Sequence, residues 1–169
     1  MAKHSDSPKK EKVDGDVKEK VLCINRCSKV VKGGRKFSFS ALILAGNGKG
    51  EVGFGFAKAN ELTDAIRKAG EAARKNMVRC PTEGTTIPHE VLIHWDGATM
   101  LLKPAPAGTG VIAGAKVRPV FELAGIKDVL VKNLGARNPI NQVQALFRAI
   151  AKLSTRQEIK ERRGVEQAI

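Results

Sequence analysis

Residues 37–58 restrict the fold more than any other stretch of the chain. Phe37, Phe39, Ala41 and Ile43 fall at every second position of an apolar run ending at Leu44, so they share one face of an extended strand. Gly46-Asn47-Gly48-Lys49-Gly50 comes next, and an Asn-Gly pair supplies the positive φ angles of a tight reversal. Val52 to Lys58 then returns with Val52, Phe54 and Phe56 on one face and Gly53, Gly55 and Ala57 on the other. The pattern predicts a β-hairpin.

A helix is predicted to follow over 60–79. Leu62, Ala65, Ile66, Ala69, Ala73 and Met77 form one stripe, with Arg67, Glu71, Arg74 and Lys75 opposite. Its alanines would let the helix sit close to a sheet. Upstream, Val17 to about Ser28 reads as another strand, with Val21, Cys23 and Ile24. The order is therefore β-β-β-α.

Between the first two strands, residues 26–36 hold Arg26, Lys29, Lys32, Arg35 and Lys36, a Gly33-Gly34 pair and no acid. They read as a cationic, glycine-hinged loop. Lys and Arg neutralise phosphates and release counterions, and glycine permits close backbone approach. The whole chain carries 30 Lys and Arg against 17 Asp and Glu, a net +13. Residues 17–79 hold fourteen of those bases and five acids, so the excess concentrates around this loop. The balance calls for a polyanionic partner, nucleic acid first and an anionic membrane surface second.

Past residue 80 the composition changes. Cys80-Pro81-Thr82-Glu83-Gly84 is turn-rich and reads as a domain boundary. Strands are predicted at 90–95 and 99–103, joined by Asp96-Gly97, then an irregular Gly/Pro-rich run over 104–114. A helix over about 115–123 would bury Val117, Val120, Phe121 and Ala124, with Pro119 in its first turn and Gly125 as its stop. A strand over 128–134 follows. Asn138-Pro139 then opens a helix that turns Ile140, Val143, Leu146, Phe147 and Ile150 inward. Residues 1–16 read as a polar disordered tail and 155–169 as a charged helix or tail.

Other chemistries find little support. No stretch approaches the ~20 apolar residues of a membrane helix, and no apolar signal core opens the chain, which suggests a cytoplasmic protein. Three cysteines argue against a disulfide framework. Cys23 and Cys27 sit too far apart along a strand to share a metal, and read as small buried apolar residues; no metal site is expected. Gly48-Lys49-Gly50-Glu51-Val52-Gly53 matches a dinucleotide fingerprint in letters, but it leads into a strand where the fingerprint needs a helix. Gly108-Thr109-Gly110-Val111-Ile112-Ala113-Gly114 does precede a helix, so either a phosphate site or a packing loop fits it. His89 and His94 point to opposite faces of a strand-like segment, and no catalytic constellation is visible. The four strand phenylalanines could stack on bases, though their alternation favours a core role.

Several long motifs then occur in a familiar order: residues 25–42, 46–59, Ala65-Ile66-Arg67-Lys68-Ala69, Ala73-Arg74-Lys75-Asn76-Met77, 108–114, Val117-Arg118-Pro119-Val120-Phe121-Glu122 and Asn138-Pro139-Ile140-Asn141. Over roughly 17–153 the chain closely resembles bacterial small-subunit ribosomal protein five. The resemblance implies an α+β fold of two small domains. The first, 17–80, would be a double-stranded-RNA-binding-like β-β-β-α unit, and the second, 81–154, a βαβ-type α/β sandwich like the second domain of some small-molecule kinases. It also implies a non-enzymatic protein without cofactor, bound to small-subunit rRNA beside ribosomal proteins four and eight, near the mRNA entry channel, with an influence on decoding accuracy. On that reading Arg26, Ser28, Lys29, Lys32, Gly33, Gly34, Arg35, Lys36, Lys49, Lys58, Arg67, Arg74, Lys75, Gly108, Gly110, Arg118, Arg137 and Asn138 are candidate RNA contacts. Lys29, Val30, Lys32, Gly33 and Gly34 match the family's loop near the spectinomycin site. Two alternatives stay open: an ATP-dependent small-molecule kinase using residues 108–114, and a free double-stranded-RNA-binding regulator.

Overall fold

Two four-stranded sheets follow one another along the chain, ordered β1-β2-β3-β4 and β5-β6-β8-β7. The computed structural model describes residues 17–164; the predicted tail at 1–16 and the end of the chain at 165–169 lie outside them. The first sheet comprises β1 (Lys18–Val31), β2 (Gly34–Gly46), β3 (Glu51–Ala59) and the short β4 (Val78–Arg79), all antiparallel, with α1 (Leu62–Lys75) packed on one face. In the second, β5 (Val91–Trp95) and β6 (Ala98–Pro104) form a hairpin, and β7 (Val111–Ile112), α2 (Arg118–Ala124) and β8 (Val129–Asn133) form a parallel βαβ unit. Helices α3 (Pro139–Lys152) and α4 (Arg156–Arg162) complete the described residues. The architecture is the expected α+β pair, β-β-β-α followed by a βαβ-type unit.

The alternation along β2 decides which side chains go where. Ala41 and Ile43 pack with Ala65 and Ala69 of α1, and Phe39 is partly covered beside them. Helix and sheet approach closely because β3 offers glycine there: a Cβ on Gly53 would collide with the Ala73 carbonyl, and one on Gly55 with that of Ala69. The opposite face sends Leu42, Leu44 and Val52 into a core shared with Val120, Phe121, Leu146 and Ile150 of the second domain. Each such fully buried side chain stabilises the fold by about 1.5–3 kcal/mol. Phe54 joins them through Phe147, ring centroids 4.7 Å apart. The phenylalanines thus do not share a face, since Leu44 pairs with Phe54 while Phe39 pairs with Ala59.

The two domains also meet through backbone. The β2–β3 turn donates Gly48 N–H to the Leu123 carbonyl at 2.9 Å and Gly50 N–H to that of Ala124 at 2.8 Å. This contact corrects the expected Asn-Gly reversal. Asn47 keeps a negative φ, and the positive values fall at Gly48 (68°) and Gly50 (90°). The Asn47 side chain instead closes a longer turn, its Oδ1 accepting from Lys49 N–H at 2.9 Å and Glu51 N–H at 3.1 Å. Asp96-Gly97 does form a tight two-residue link, with φ of 44° and 76°. Near the start of β1 a bulge at Leu22 breaks the register, and Lys116 donates to the Leu22 carbonyl at 3.2 Å. Lys20, on the same face, pairs with Glu122 at 3.1 Å.

The predicted caps of the second half hold. Gly125 ends α2 at φ 82°, with Pro119 within the first helical turn. Asn138 caps α3, accepting Ile140 N–H at 3.2 Å. Residues 156–162 form a helix with a Thr155–Glu158 capping box. Cys80 is buried, which pushes its thiol up to about 11, but Cys23 and Cys27 are only half-buried because β1 is an edge strand.

Candidate nucleic-acid interface

Residues 26–36 are not a loop. β1 and β2 stay paired to the end, Ser28 with Phe37, Lys29 with Lys36, Val30 with Arg35 and Val31 with Gly34, and only Lys32-Gly33 turn. Sequence reading missed this because glycine and lysine are poor strand formers, while cross-strand hydrogen bonding is supplied by the partner strand. The result is a β-arm, exposed along most of its length. Gly33 needs no special backbone and has open space around it, whereas Gly34 sits at φ 142°. The pair is therefore one ordinary turn residue and one obligatory glycine.

Pleating separates the arm's cations onto two faces. Lys29 and Lys36 stand directly opposite each other on the face that, further down, carries Leu42 and Leu44. Lys58 lies on that face too, next to Ser40, which pairs in turn with Asn25. Arg26 and Arg35 lie on the other face with Phe37. Among the described residues, none of Arg26, Lys29, Lys32, Arg35, Lys36 or Lys58 forms an ion pair. A directly opposed like-charge pair destabilises a sheet, here by less than ~1 kcal/mol in water. A polyanion beside both lysines reverses the sign of that term.

The remaining predicted contacts are scattered. Arg67 is held by Asp64 at 3.6 Å and Glu71 at 2.9 Å, and Arg74 by Glu19 at 2.8 Å. Lys75 closes the last turn of α1, where a cation complements the helix dipole. Lys49 sits in the β2–β3 turn, at the opposite end of β2 from the arm, and shares a cavity with Arg79, Glu158 and Glu161. Arg118 and Arg137 are exposed in the second domain. Asn138 has both side-chain groups engaged, Oδ1 by Ile140 and Nδ2 by the Asn141 side chain at 3.0 Å.

The glycine run 108–114 holds an anion already. The Asp128 carboxylate, only 3% exposed, accepts Gly108 N–H at 3.0 Å and Gly110 N–H at 2.9 Å. Hydrogen bonds from Gly110, the Thr85 side chain, Gly108 and Thr109 hold its pKa below the ordinary value, outweighing desolvation. The Gly114 carbonyl takes Val117 and Arg118 N–H. The N–H groups of Gly108, Gly110, Val117 and Arg118 are therefore engaged within the chain and not offered to a phosphate. Nothing in the glycine spacing foretold this, because the carboxylate comes from the residue just before β8, eighteen positions beyond Gly110.

A polar arm and an internally satisfied glycine loop describe a binding protein more than a catalyst, and comparison with known sequences agrees. Residues 17–81 match the family described as "Ribosomal protein S5, N-terminal domain", and 93–163 match "Ribosomal protein S5, C-terminal domain". The chain belongs to the ribosomal protein S5 family. Among its relatives, the small ribosomal subunit protein uS5 of Protochlamydia amoebophila (strain UWE25) is 76% identical over 167 residues, covering 98% of this chain and all of that one. Proteins of the same name from Chlamydia felis and Chlamydia pneumoniae are each 61% identical, covering 90% and 88% of this chain and 93% and 91% of theirs. S5 family membership makes the chain a structural ribosomal protein and not an enzyme, which overturns the kinase alternative. Within the S5 matches lie both the arm, in the first, and Asp128 with its glycine loop, in the second. Among the described residues no helix is long and apolar enough to cross a membrane.

Proposed function

We propose that this chain is a cytoplasmic structural component of the small ribosomal subunit that holds rRNA phosphates on its β1–β2 arm. The observation carrying this reading is the Lys29–Lys36 pair, two like charges set opposite each other on an exposed arm with no carboxylate partner among the described residues. Folding gains nothing from that arrangement, and phosphate binding does. Lys58 extends the same face, and Arg26, Ser28, Lys32, Gly33, Gly34 and Arg35 complete the arm.

The finer assignments follow the family resemblance. Residues 17–80 form the double-stranded-RNA-binding-like domain and 81–154 the C-terminal α/β domain, and the chain lies beside ribosomal proteins four and eight. Lys29, Val30, Lys32, Gly33 and Gly34 lie in the vicinity of the spectinomycin site. The protein stands near the mRNA entry channel and influences decoding accuracy. The test is to replace Lys29 and Lys36 together by alanine in the full chain and follow it through a sucrose gradient and an rRNA titration. The expected result is less protein with the small subunit and a salt slope lower by roughly 1.4–1.8, at about 0.7–0.9 for each of the two phosphate contacts. Unchanged sedimentation with an unchanged slope defeats the assignment.

A further inference from the structure

The arm face turned away from Lys29 and Lys36 carries a different chemistry. Arg26, Ser28 and Val30 alternate along β1 on this face, opposite Phe39, Phe37 and Arg35. The Arg26 guanidinium carbon lies 3.8 Å from the centroid of the Phe37 ring. Helix α1 covers Ala41 and Ile43 and only part of Phe39, so Phe37 lies past its edge and stays 44% exposed, with Val30 at 74%. Phe37 therefore belongs to no core, although the period-2 pattern alone would place it in one.

We propose that Arg26 and Phe37 together form a stacking platform for one unpaired nucleobase. Guanidinium is planar, keeps its charge, is weakly hydrated and stacks on aromatic faces, so Arg26 can lie between the ring and a base. The exposed part of the Phe37 ring offers a second flat surface beside it. Arg35 on the same face supplies a cation for the phosphate flanking that base, and the Ser28 hydroxyl, opposite Phe37, is within the same row. A base inside a duplex has both faces covered by its neighbours, so only a bulged, looped or terminal base reaches this platform. The proposal rests on the RNA-holding reading above and deepens it: one face of the arm takes phosphates, the other takes a base. It also separates this chain from a reader of plain duplex, which would use one face only.

The experiment uses the full chain and two RNA hairpins identical except for one bulged adenine, titrated at several salt concentrations. The bulged hairpin is expected to bind about tenfold more tightly, the effect of stacking one base on an aromatic side chain. Phe37→Leu should erase that preference and leave the salt slope unchanged. Arg26→Lys should reduce the preference while keeping the charge, and Phe37→Trp should retain or raise it, which guards against a misfolded Phe37→Leu. Equal affinity for the two hairpins, or a preference that survives Phe37→Leu, overturns the platform. Lys29→Ala with Lys36→Ala is the control for the phosphate grip. It should lower both affinities and flatten the slope with the preference intact, and its failure counts against the grip alone.

Discussion

Asp128 accepts the backbone N–H of Gly110 at 2.9 Å, and with the matching bond from Gly108 it ties the glycine loop to the start of β8. Its pKa is held below the ordinary 3.8, so the folded state binds the proton less readily than the unfolded chain. The resulting stability is fully present above the unfolded pKa and falls as pH drops through the lower folded value. Asp128→Asn should therefore lower the melting temperature at pH 7, with the gap to wild type closing as both proteins are taken below pH 3.8. A gap that stays constant with pH would show that the carboxylate charge contributes nothing.

Gly55 lies against the carbonyl of Ala69, with no room for a methyl group. Gly55→Ala should push α1 off β3 and destabilise the protein by about 1–3 kcal/mol, the usual cost of overpacking. Urea unfolding measures this. Gly53→Ala, beneath Ala73, should behave alike.

The two glycines of the arm should respond differently to the same substitution. Gly33→Ala meets open space at an ordinary φ and should change stability by less than ~0.5 kcal/mol. Gly34→Ala forces an L residue to φ 142° and should cost about 1–3 kcal/mol, or else let the turn rearrange. Thermal unfolding of the two variants decides it, and proton spectra of the arm would report the rearrangement.

Lys36→Glu converts the opposed pair into a complementary one. The free protein should gain up to ~0.5 kcal/mol, because the position is exposed and screened. RNA binding should weaken in the same variant, with a lower salt slope. Opposite changes in stability and affinity are the signature of a charge placed for a partner; a fall in both would mean that Lys36 supports the arm itself.

Much of this fold was legible without coordinates. The face shared by Phe39, Ala41 and Ile43, the close seat for an alanine-rich helix, the Gly125 stop and the Asn138 cap all follow from local periodicity or local backbone chemistry. Those features depend on residues a few positions apart, which is the range over which sequence patterns are fixed. The charge excess likewise identified residues 26–36 before their conformation was known.

What lay outside that range came only from tertiary structure. Whether 26–36 forms a loop or an arm depends on two strands pairing across Lys32-Gly33, and pairing sets the face each cation occupies. Phe37 and Phe54 both alternate with small residues, yet Phe54 is partly buried against Phe147 and Phe37 is left beside Arg26, because α1 and the second domain each cover only part of the sheet. The glycine run was open to a phosphate in sequence and closed to it in space by Asp128. Composition and spacing predicted a polyanionic partner for this protein. Long-range contacts decided which of its cations and aromatic rings remain free to do so.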